Sequence, residues 1–367
     1  MHDQSAILTI DTQALIANWR KLGEVAQGEC AGVVKADAYG VGAEVVVPAL
    51  AGAGCRTFFV SHFSEGIKVR RLAPDARIYV LNGYAQEGLG TYAEHRLSPV
   101  LYAGEHLAHW RTNGAGLAPA ALFIDTGMNR LGLRLDAGLE VLANEKLGDA
   151  NVGLVMSHYA SSEYPDAPET ALQLSGARKI FAATGQGPNA GIALSFDNSS
   201  GVFMPGRMAG TLARPGYALY GGNPLVGAPN PMQPVIRLEA QVVQVRAVKA
   251  GETVGYNANF AAARDSVIAT ISCGYADGLP RNLGNRADWP GGIALVNGVE
   301  CPFAGNVSMD LITIDVTALP AGAVKAGDYV TLIGDSLDID RVGKLGRTIG
   351  YEILTSLGPR YNRVARA

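Results

Sequence analysis

The pattern of apolar and polar positions divides the chain in two. In the first part, short apolar runs recur at 32–36, 57–61, 77–81, 99–102, 121–125, 153–157, 191–195 and 210–214. They are rich in Val, Ile, Leu and Phe and do not alternate strictly, which is the pattern of parallel strands covered on both faces. Segments with helical spacing fill the gaps at 43–50, 64–72, 104–113, 137–145 and 169–183. A further helix over 12–25 precedes the first run, with Asp11 or Thr12 as its N-cap. Eight strands alternating with helices predict a (β/α)8 TIM-type barrel over residues 11–225. No helical pattern follows the last run, so the helix at 12–25 is expected to take the vacant eighth place.

Beyond residue 222 the texture changes. Residues 223–234 hold four prolines, which reads as a linker. Alternating segments follow at 235–248, 266–272, 292–296, 311–316 and 329–333, and they predict a mostly β C-terminal domain over 226–367. A strand at 5–10 is expected to join it. The length of 367 residues agrees with two domains.

Composition narrows the class. With 48% hydrophobic and 17% charged residues the chain can bury a large core and is not disordered. A net charge of -3 without long Lys/Arg runs argues against a nucleic-acid partner. No apolar stretch reaches membrane-spanning length, and the first eleven residues carry no export signal. Cys30, Cys55, Cys273 and Cys301 lie far apart, and neither they nor the histidines show metal-ligand spacing. A reduced, cytoplasmic protein without a metal site is expected.

Barrel chemistry sits at the C-terminal ends of the strands, so the reactive residues there are the candidates. Lys35 closes the first run in VVKADAYGVG. A lysine at the mouth of a buried strand can lose its proton through desolvation and act as an amine nucleophile; a rim lysine is the plain alternative. Gly40 and Gly42 form a GxG, but Val45 stands where a dinucleotide loop needs its third glycine, and no acid follows at the required distance. Arg130 follows the fifth run in DTGMNRLG and can bind a carboxylate. His158 follows the sixth. Asn198, Ser199 and Gly201 follow the seventh in FDNSSG. Arg214 stands inside the apolar eighth run, where a charge must be paired or used, and Gly216 and Tyr217 follow it. Barrels frequently bind phosphate with the loops after strands seven and eight. A phosphate site opposite a buried lysine suggests pyridoxal 5'-phosphate (PLP), whose aldehyde forms a Schiff base with lysine.

These segments resemble the alanine racemases along nearly the whole chain. VVKADAYG is similar to that family's PLP-lysine motif. DTGMNRLG, DNSSG, ARPGYALYG, CGYADGLPR, GNVSMD and YEILTSLGPRYNR follow in the family's order at similar spacing. The resemblance implies PLP-dependent racemisation of L- and D-alanine. Its service would be D-alanine supply for peptidoglycan or alanine catabolism. Lys35 would hold PLP and act as one catalytic base. Tyr275 would be the second, reaching the site from the partner of a homodimer. Arg214 would hydrogen-bond the pyridine nitrogen. Arg130 would contact the cofactor's phenolic oxygen and the substrate carboxylate. Tyr39, Ser199, Tyr351 and the amides near Gly216 and Tyr217 would hold the phosphate. His158 would lie beside Arg214 and Tyr275, Leu81 and Asn198 would line the cofactor, and Met309 would reach the substrate pocket across the dimer interface.

The chemistry makes sense of these types. Two bases on opposite faces remove and return the Cα proton without turning the substrate. Both Lys and Tyr are poor bases at their ordinary pKa of about 10, so their surroundings must shift them. An always-protonated Arg214 should keep the pyridine nitrogen unprotonated and so suppress transamination.

The chain departs from the family at three places. Phe123 stands where many members carry a lysine, often carbamylated, so support for Arg130 is expected from elsewhere, Asn129 or a bound anion. Asn306 replaces an arginine. Residues 282–292 differ enough that no entrance residue is carried over. Three rival readings are a broader racemase of serine or lysine, a decarboxylase on a related architecture, and a non-catalytic PLP carrier. Arg214 argues against the decarboxylase. The second domain and Tyr275 argue against the carrier.

Overall fold

The computed structural model describes residues 6–285 and 289–366. Ser5, at the edge of the expected strand over 5–10, lies outside them, as do residues 286–288 and Ala367 of the expected C-terminal domain. The chain divides into two compact units. One comprises residues 15–219 and 223–233. The other comprises, among the described residues, 6–14, 220–222, 234–285 and 289–366.

In the larger unit the short apolar runs do become parallel strands. The elements alternate as helix α1 (Thr12–Ala26), strand β1 (Gly32–Val33), α2 (Ala43–Ala53), β2 (Thr57–Val60), α3 (Phe63–Leu72), β3 (Arg77–Val80), α4 (Leu89–Glu94), β4 (Ser98–Leu101), α5 (Gly104–Asn113) and β5 (Ala120–Asp125). They continue as β6 (Leu133–Arg134), α6 (Leu135–Asn144), β7 (Val152–Met156), α7 (Pro168–Thr184) and β8 (Ala193–Ser195). The strands pair in the order β1-β2-β3-β4-β5-β7-β8, every pairing parallel, with β6 a short branch on β5. Every residue of TFFV in β2 is buried, as a strand covered by helices outside and side chains inside must be.

The expected eighth strand at 210–214 is not a regular strand. Pro215 and the glycines around it interrupt the ladder, leaving one parallel bridge between Cys30 and Ala213. The ring nevertheless closes through main-chain bonds. Leu212 N donates to Leu194 O of β8 at 2.8 Å, while Ala31 N donates to Ala213 O at 2.9 Å and Val33 N to Pro215 O at 3.2 Å. The fold is thus a (β/α)8-type barrel whose last stave is irregular. Residues 15–26 of α1 lie against that stave: Trp19 Nε1 donates to Cys30 O at 3.0 Å, and Asn18 Nδ2 donates to Leu219 O at 3.3 Å.

The smaller unit is mostly β. The first strand (Ala6–Asp11) pairs antiparallel with the long strand Ile236–Val248, with Leu8 opposite Leu238 and Ile10 opposite Ile236. On its other side it pairs in parallel with Asn362–Arg366. Burial alternates along the first strand, with Ala6, Leu8 and Ile10 inward, the signature of a sheet with one face on the core. Strands at Ser266–Ile271, Ile293–Val296, Val299–Pro302, Ile312–Asp315 and Tyr329–Ile333 complete the sheet. Two short helices, Ile339–Leu345 and Gly350–Thr355, are additions to the expected pattern. Asp11 caps the helix that follows it, its Oδ1 accepting from Ala14 N at 2.8 Å.

Candidate active site at the mouth of the barrel

The first barrel strand stops at Val33, short of the expected 36, because the chain turns left-handed at once. Ala36, Asp37, Ala38 and Tyr39 have φ of 52°, 52°, 56° and 56°. Non-glycine residues pay about 1–2 kcal/mol each for that conformation, so four in a row persist only where their surroundings fix them. Here the turn is held from two sides. Asp37 Oδ1 accepts from Ala43 N at 3.0 Å, opening α2, and from Lys68 Nζ at 3.0 Å. Glu65 Oε1 accepts from Ala36 N at 2.6 Å. Lys35 heads this turn. Burial lowers its pKa, Arg130 lowers it further, and Glu65 opposes both.

Across the ring, Arg214 is a buried cation in an apolar wall. Its guanidinium donates to Ser195 Oγ and, at 2.6 Å, to Ser157 O, and it lies 5.7 Å from the Phe59 ring centre. Burial pushes its pKa down to about 10, which leaves it charged at neutral pH. Arg214 Nη2 stands 3.3 Å from His158 Nδ1. Burial, then Arg214, Arg130 and Lys35, hold the His158 pKa down at about 3, so the imidazole is neutral and its Nδ1 is the acceptor in that contact. Gln173, from α7, ties the floor of this region, donating to His158 O at 3.0 Å and to Thr126 Oγ1 at 3.4 Å.

The loops after β8 and the irregular stave form a small polar cradle. Ser199 Oγ accepts from Gly216 N and from Ala218 N, each at 3.1 Å, which leaves its own proton for another acceptor. A Cβ at position 216 would lie 2.2 Å from the Tyr39 hydroxyl, so only glycine admits the tyrosine there. Tyr217 is buried beside it. Asn198 uses its carboxamide to hold the same loop, accepting from Gly201 N at 2.8 Å and Ser162 Oγ at 2.7 Å. Leu81 directly follows the third strand, its N–H donating to Val60 O at 2.8 Å.

Arg130 is exposed on the loop after β5. Asp125 shapes that loop by accepting from Gly127 N, Met128 N and Asn129 N. The Asn129 side chain donates back to Gly127 O at 3.3 Å, so it closes its own turn rather than bracing Arg130 as expected. Phe123 fills its position by packing on Gly132, where an added Cβ would lie 2.5 Å from the ring.

The remaining candidates belong to the β-rich unit. Tyr275 opens a short 3-10 turn, Tyr275–Asp277. Tyr275 N donates to Ser308 O and Ala276 N to Met309 O, each at 3.0 Å, so Tyr275 and Met309 are held side by side. Both side chains are exposed, as is that of Leu311. Asp277 fixes the turn, accepting from Gly274 N at 2.8 Å and pairing with Arg360 at 3.1 Å. Tyr351 lies exposed on Gly350–Thr355. Asn306 is buried, its Nδ2 donating to Tyr256 O at 3.0 Å and its Oδ1 accepting from Asn259 at 3.3 Å, so it is bound into its own loop. Among the described residues no cluster of His, Cys, Asp and Glu could hold a metal.

Sequence reasoning missed Ser157, Ser195, Gln173 and Glu65. Ser157 and Ser195 are the last residues of expected strands, which places them at the mouth, but an isolated serine carries no chemical signal. Glu65 and Gln173 sit on helices, where a polar residue reads as surface.

Comparison with known proteins identifies the family. A family model described as "Alanine racemase, N-terminal domain" matches residues 10–224, and one described as "Alanine racemase, C-terminal domain" matches residues 235–365. The alanine racemase of Acidiphilium cryptum (strain JF-5) is 50% identical over 368 residues, covering 98% of this chain and 98% of its own. That of Methylobacterium sp. (strain 4-46) is 48% identical over 363 residues, covering 98% of this chain and 97% of its own. The crystal structure of alanine racemase from Bartonella henselae with covalently bound pyridoxal phosphate is similar with a TM-score of 0.89 at 37% identity, over 99% of each chain.

Proposed function

The chain belongs to the alanine racemase family, and from that premise we propose that it interconverts L-alanine and D-alanine with PLP held by Lys35. The observation that carries the reading is the pairing of a desolvated lysine at the end of the first strand with a buried, charged arginine on the stave that closes the ring. The cradle suits a phosphate: Ser199 keeps a proton to donate, and Gly216 admits the Tyr39 hydroxyl beside it. When bound, PLP supplies an aldehyde that condenses with an amine and a ring that draws negative charge from the substrate Cα.

The protein's own groups then have distinct tasks. Lys35, its proton loosened by burial and by Arg130, takes or returns the Cα proton on one face. Tyr275 serves the other face, and Met309 beside it shapes the substrate pocket. Arg214, held in place by Ser157, Ser195 and neutral His158, would donate to the pyridine nitrogen of bound PLP. Arg130 binds the substrate carboxylate and the phenolic oxygen. Tyr39, Ser199, Gly216, Tyr217 and Tyr351 hold the phosphate, and Leu81 and Asn198 line the cofactor. Residues 11–225 constitute the PLP-binding domain and 226–367 the domain that carries Tyr275. The exposure of Tyr275, Met309 and Leu311 together favours their insertion into a second copy, in a homodimer with shared sites. No described helix is long and apolar enough to cross a membrane, and the four cysteines are free thiols, which suits a cytoplasmic enzyme. Its D-alanine would serve peptidoglycan synthesis or alanine catabolism.

The test is a chiral assay. The protein with added PLP is incubated in heavy water with L-alanine, L-serine and L-lysine in separate reactions, and each enantiomer is quantified. D-alanine with deuterium at Cα, and little turnover of the others, is the expected result. Turnover of another amino acid without D-alanine would change the substrate, and no turnover with PLP bound would point to a carrier.

A further inference from the structure

The turn that carries Lys35 is braced by a carboxylate from a different strand–helix unit. Glu65 stands in the first turn of α3, and its Oε2 accepts from Ser61 N at 2.7 Å and from His62 N at 3.0 Å. Those two bonds cap the helix, and capping uses only that oxygen. Oε1 does something else: it reaches the amide of Ala36, next to Lys35 and 29 residues away, at 2.6 Å. That amide opens the left-handed run of residues 36–39. One turn further along α3, Lys68 pairs with Asp37 of the same run at 3.0 Å. The start of α3 therefore clamps the lysine's turn at two successive residues.

The placement also has an electrostatic consequence. The charged groups acting on Lys35 are Arg130, which favours loss of its proton, and Glu65, which favours keeping it.

We infer that Glu65 is a positioning residue for the cofactor lysine: one carboxylate oxygen caps α3 while the other fixes the turn that aims Lys35. This rests on the assignment of PLP to Lys35.

The test follows PLP capture by the full-length protein stripped of cofactor, read from the visible absorption of bound PLP as a function of pH. Only the unprotonated amine reacts, so the capture rate rises with pH to a plateau. The position of the rise reports the charge on Lys35, and the plateau reports its aim. Removing a negative neighbour lowers a lysine's pKa. In Glu65→Gln the rise therefore moves to lower pH, and the plateau falls about tenfold, as a small misplacement of a reacting group costs. Glu65→Ala lowers the plateau further. Asp338→Ala is the control for lost capping alone, since Asp338 caps a helix of the other unit by accepting from Arg341 N at 2.7 Å; it lowers the melting temperature with capture unchanged. A wild-type rise and plateau in Glu65→Gln would overturn the inference, and so would an equal loss in Asp338→Ala. Covalent capture of PLP by Lys35→Ala would overturn the underlying assignment instead.

Discussion

Arg214 sets the terms for everything around it at the residue scale. A guanidinium in an apolar wall must be surrounded by acceptors, and Ser195 Oγ, Ser157 O and His158 Nδ1 supply them. Burial first, and then the cation beside it, disfavour a charged imidazole, which is why His158 stays neutral down to about pH 3. An unfolded histidine binds its proton near pH 6.5. The unfolded chain therefore holds more protons than the folded one between those values, and stability falls as pH drops through that window. In His158→Asn the loss of stability between pH 6 and pH 4 should be shallower, by up to about 1.4 kcal/mol per pH unit. Denaturant titration at several pH values checks it, and an unchanged slope would mean that His158 is charged. Gly216 gives the complementary case, where shape rather than charge decides. In Gly216→Ala the new methyl would meet the Tyr39 hydroxyl, so the cradle must open. PLP should then dissociate at least about tenfold more readily, a displacement of the order that misplaced binding groups produce, and fluorescence of released PLP reads it directly.

At the scale of elements, the two decisive pieces are short turns rather than helices or strands. The left-handed run after the first strand and the 3-10 turn at Tyr275 each present one candidate side chain; side chains of α3 hold the first and neighbouring backbone holds the second. Gly274 illustrates the second. A Cβ there would lie 2.3 Å from Met309 O and 2.4 Å from Ser308 O, the two carbonyls that hold the Tyr275 turn. Gly274→Ala should thus cost about 1–3 kcal/mol of stability and reduce racemisation while PLP stays bound to Lys35. Loss of PLP instead would show that the turn serves the cofactor and not proton transfer. The long elements were legible from periodicity, with helix Gly104–Asn113 and strand Tyr329–Ile333 matching the expected limits. What periodicity missed has physical causes. Nothing in KADAY announces four left-handed residues, because the conformation is held by Glu65 and Lys68 from outside the turn. The run at 210–214 is apolar enough for a strand, yet Pro215 removes a ladder donor and leaves a single bridge. Helix Leu89–Glu94 is too short to give a periodic signal. The candidate residues themselves were legible because each lies just past the end of an apolar run or within a family motif. Their supports were hidden, Glu65 above all, whose cap role follows an unusual His62 N-cap.

For the whole molecule, the residues proposed to carry the chemistry belong to two compact units, and the question is whose units combine. Lys35 and Arg214 are in the barrel unit, whereas Tyr275 and Met309 form an exposed pair in the β-rich unit. A shared site requires that a barrel receive Tyr275 from a second chain, as a two-fold dimer allows twice over. Mixing two inactive variants separates the possibilities. On the proposed mechanism Lys35→Ala lacks one base in every site and Tyr275→Phe lacks the other, so neither variant alone should racemise alanine. If sites are shared, a mixed dimer holds one site with the intact lysine of one chain and the intact tyrosine of the other, and a second site with neither. Random re-assortment makes half of the dimers mixed, with one good site in two, so roughly a quarter of wild-type activity should return. If each chain completed its own site, no combination would bring an intact Lys35 and an intact Tyr275 together, and the mixture would stay inactive. The measurement is D-alanine formation after the variants are unfolded, mixed and refolded together, against each variant refolded alone. Recovery of activity only on mixing would fix the dimer as the catalytic unit, and its absence would return Tyr275 to the chain that carries it.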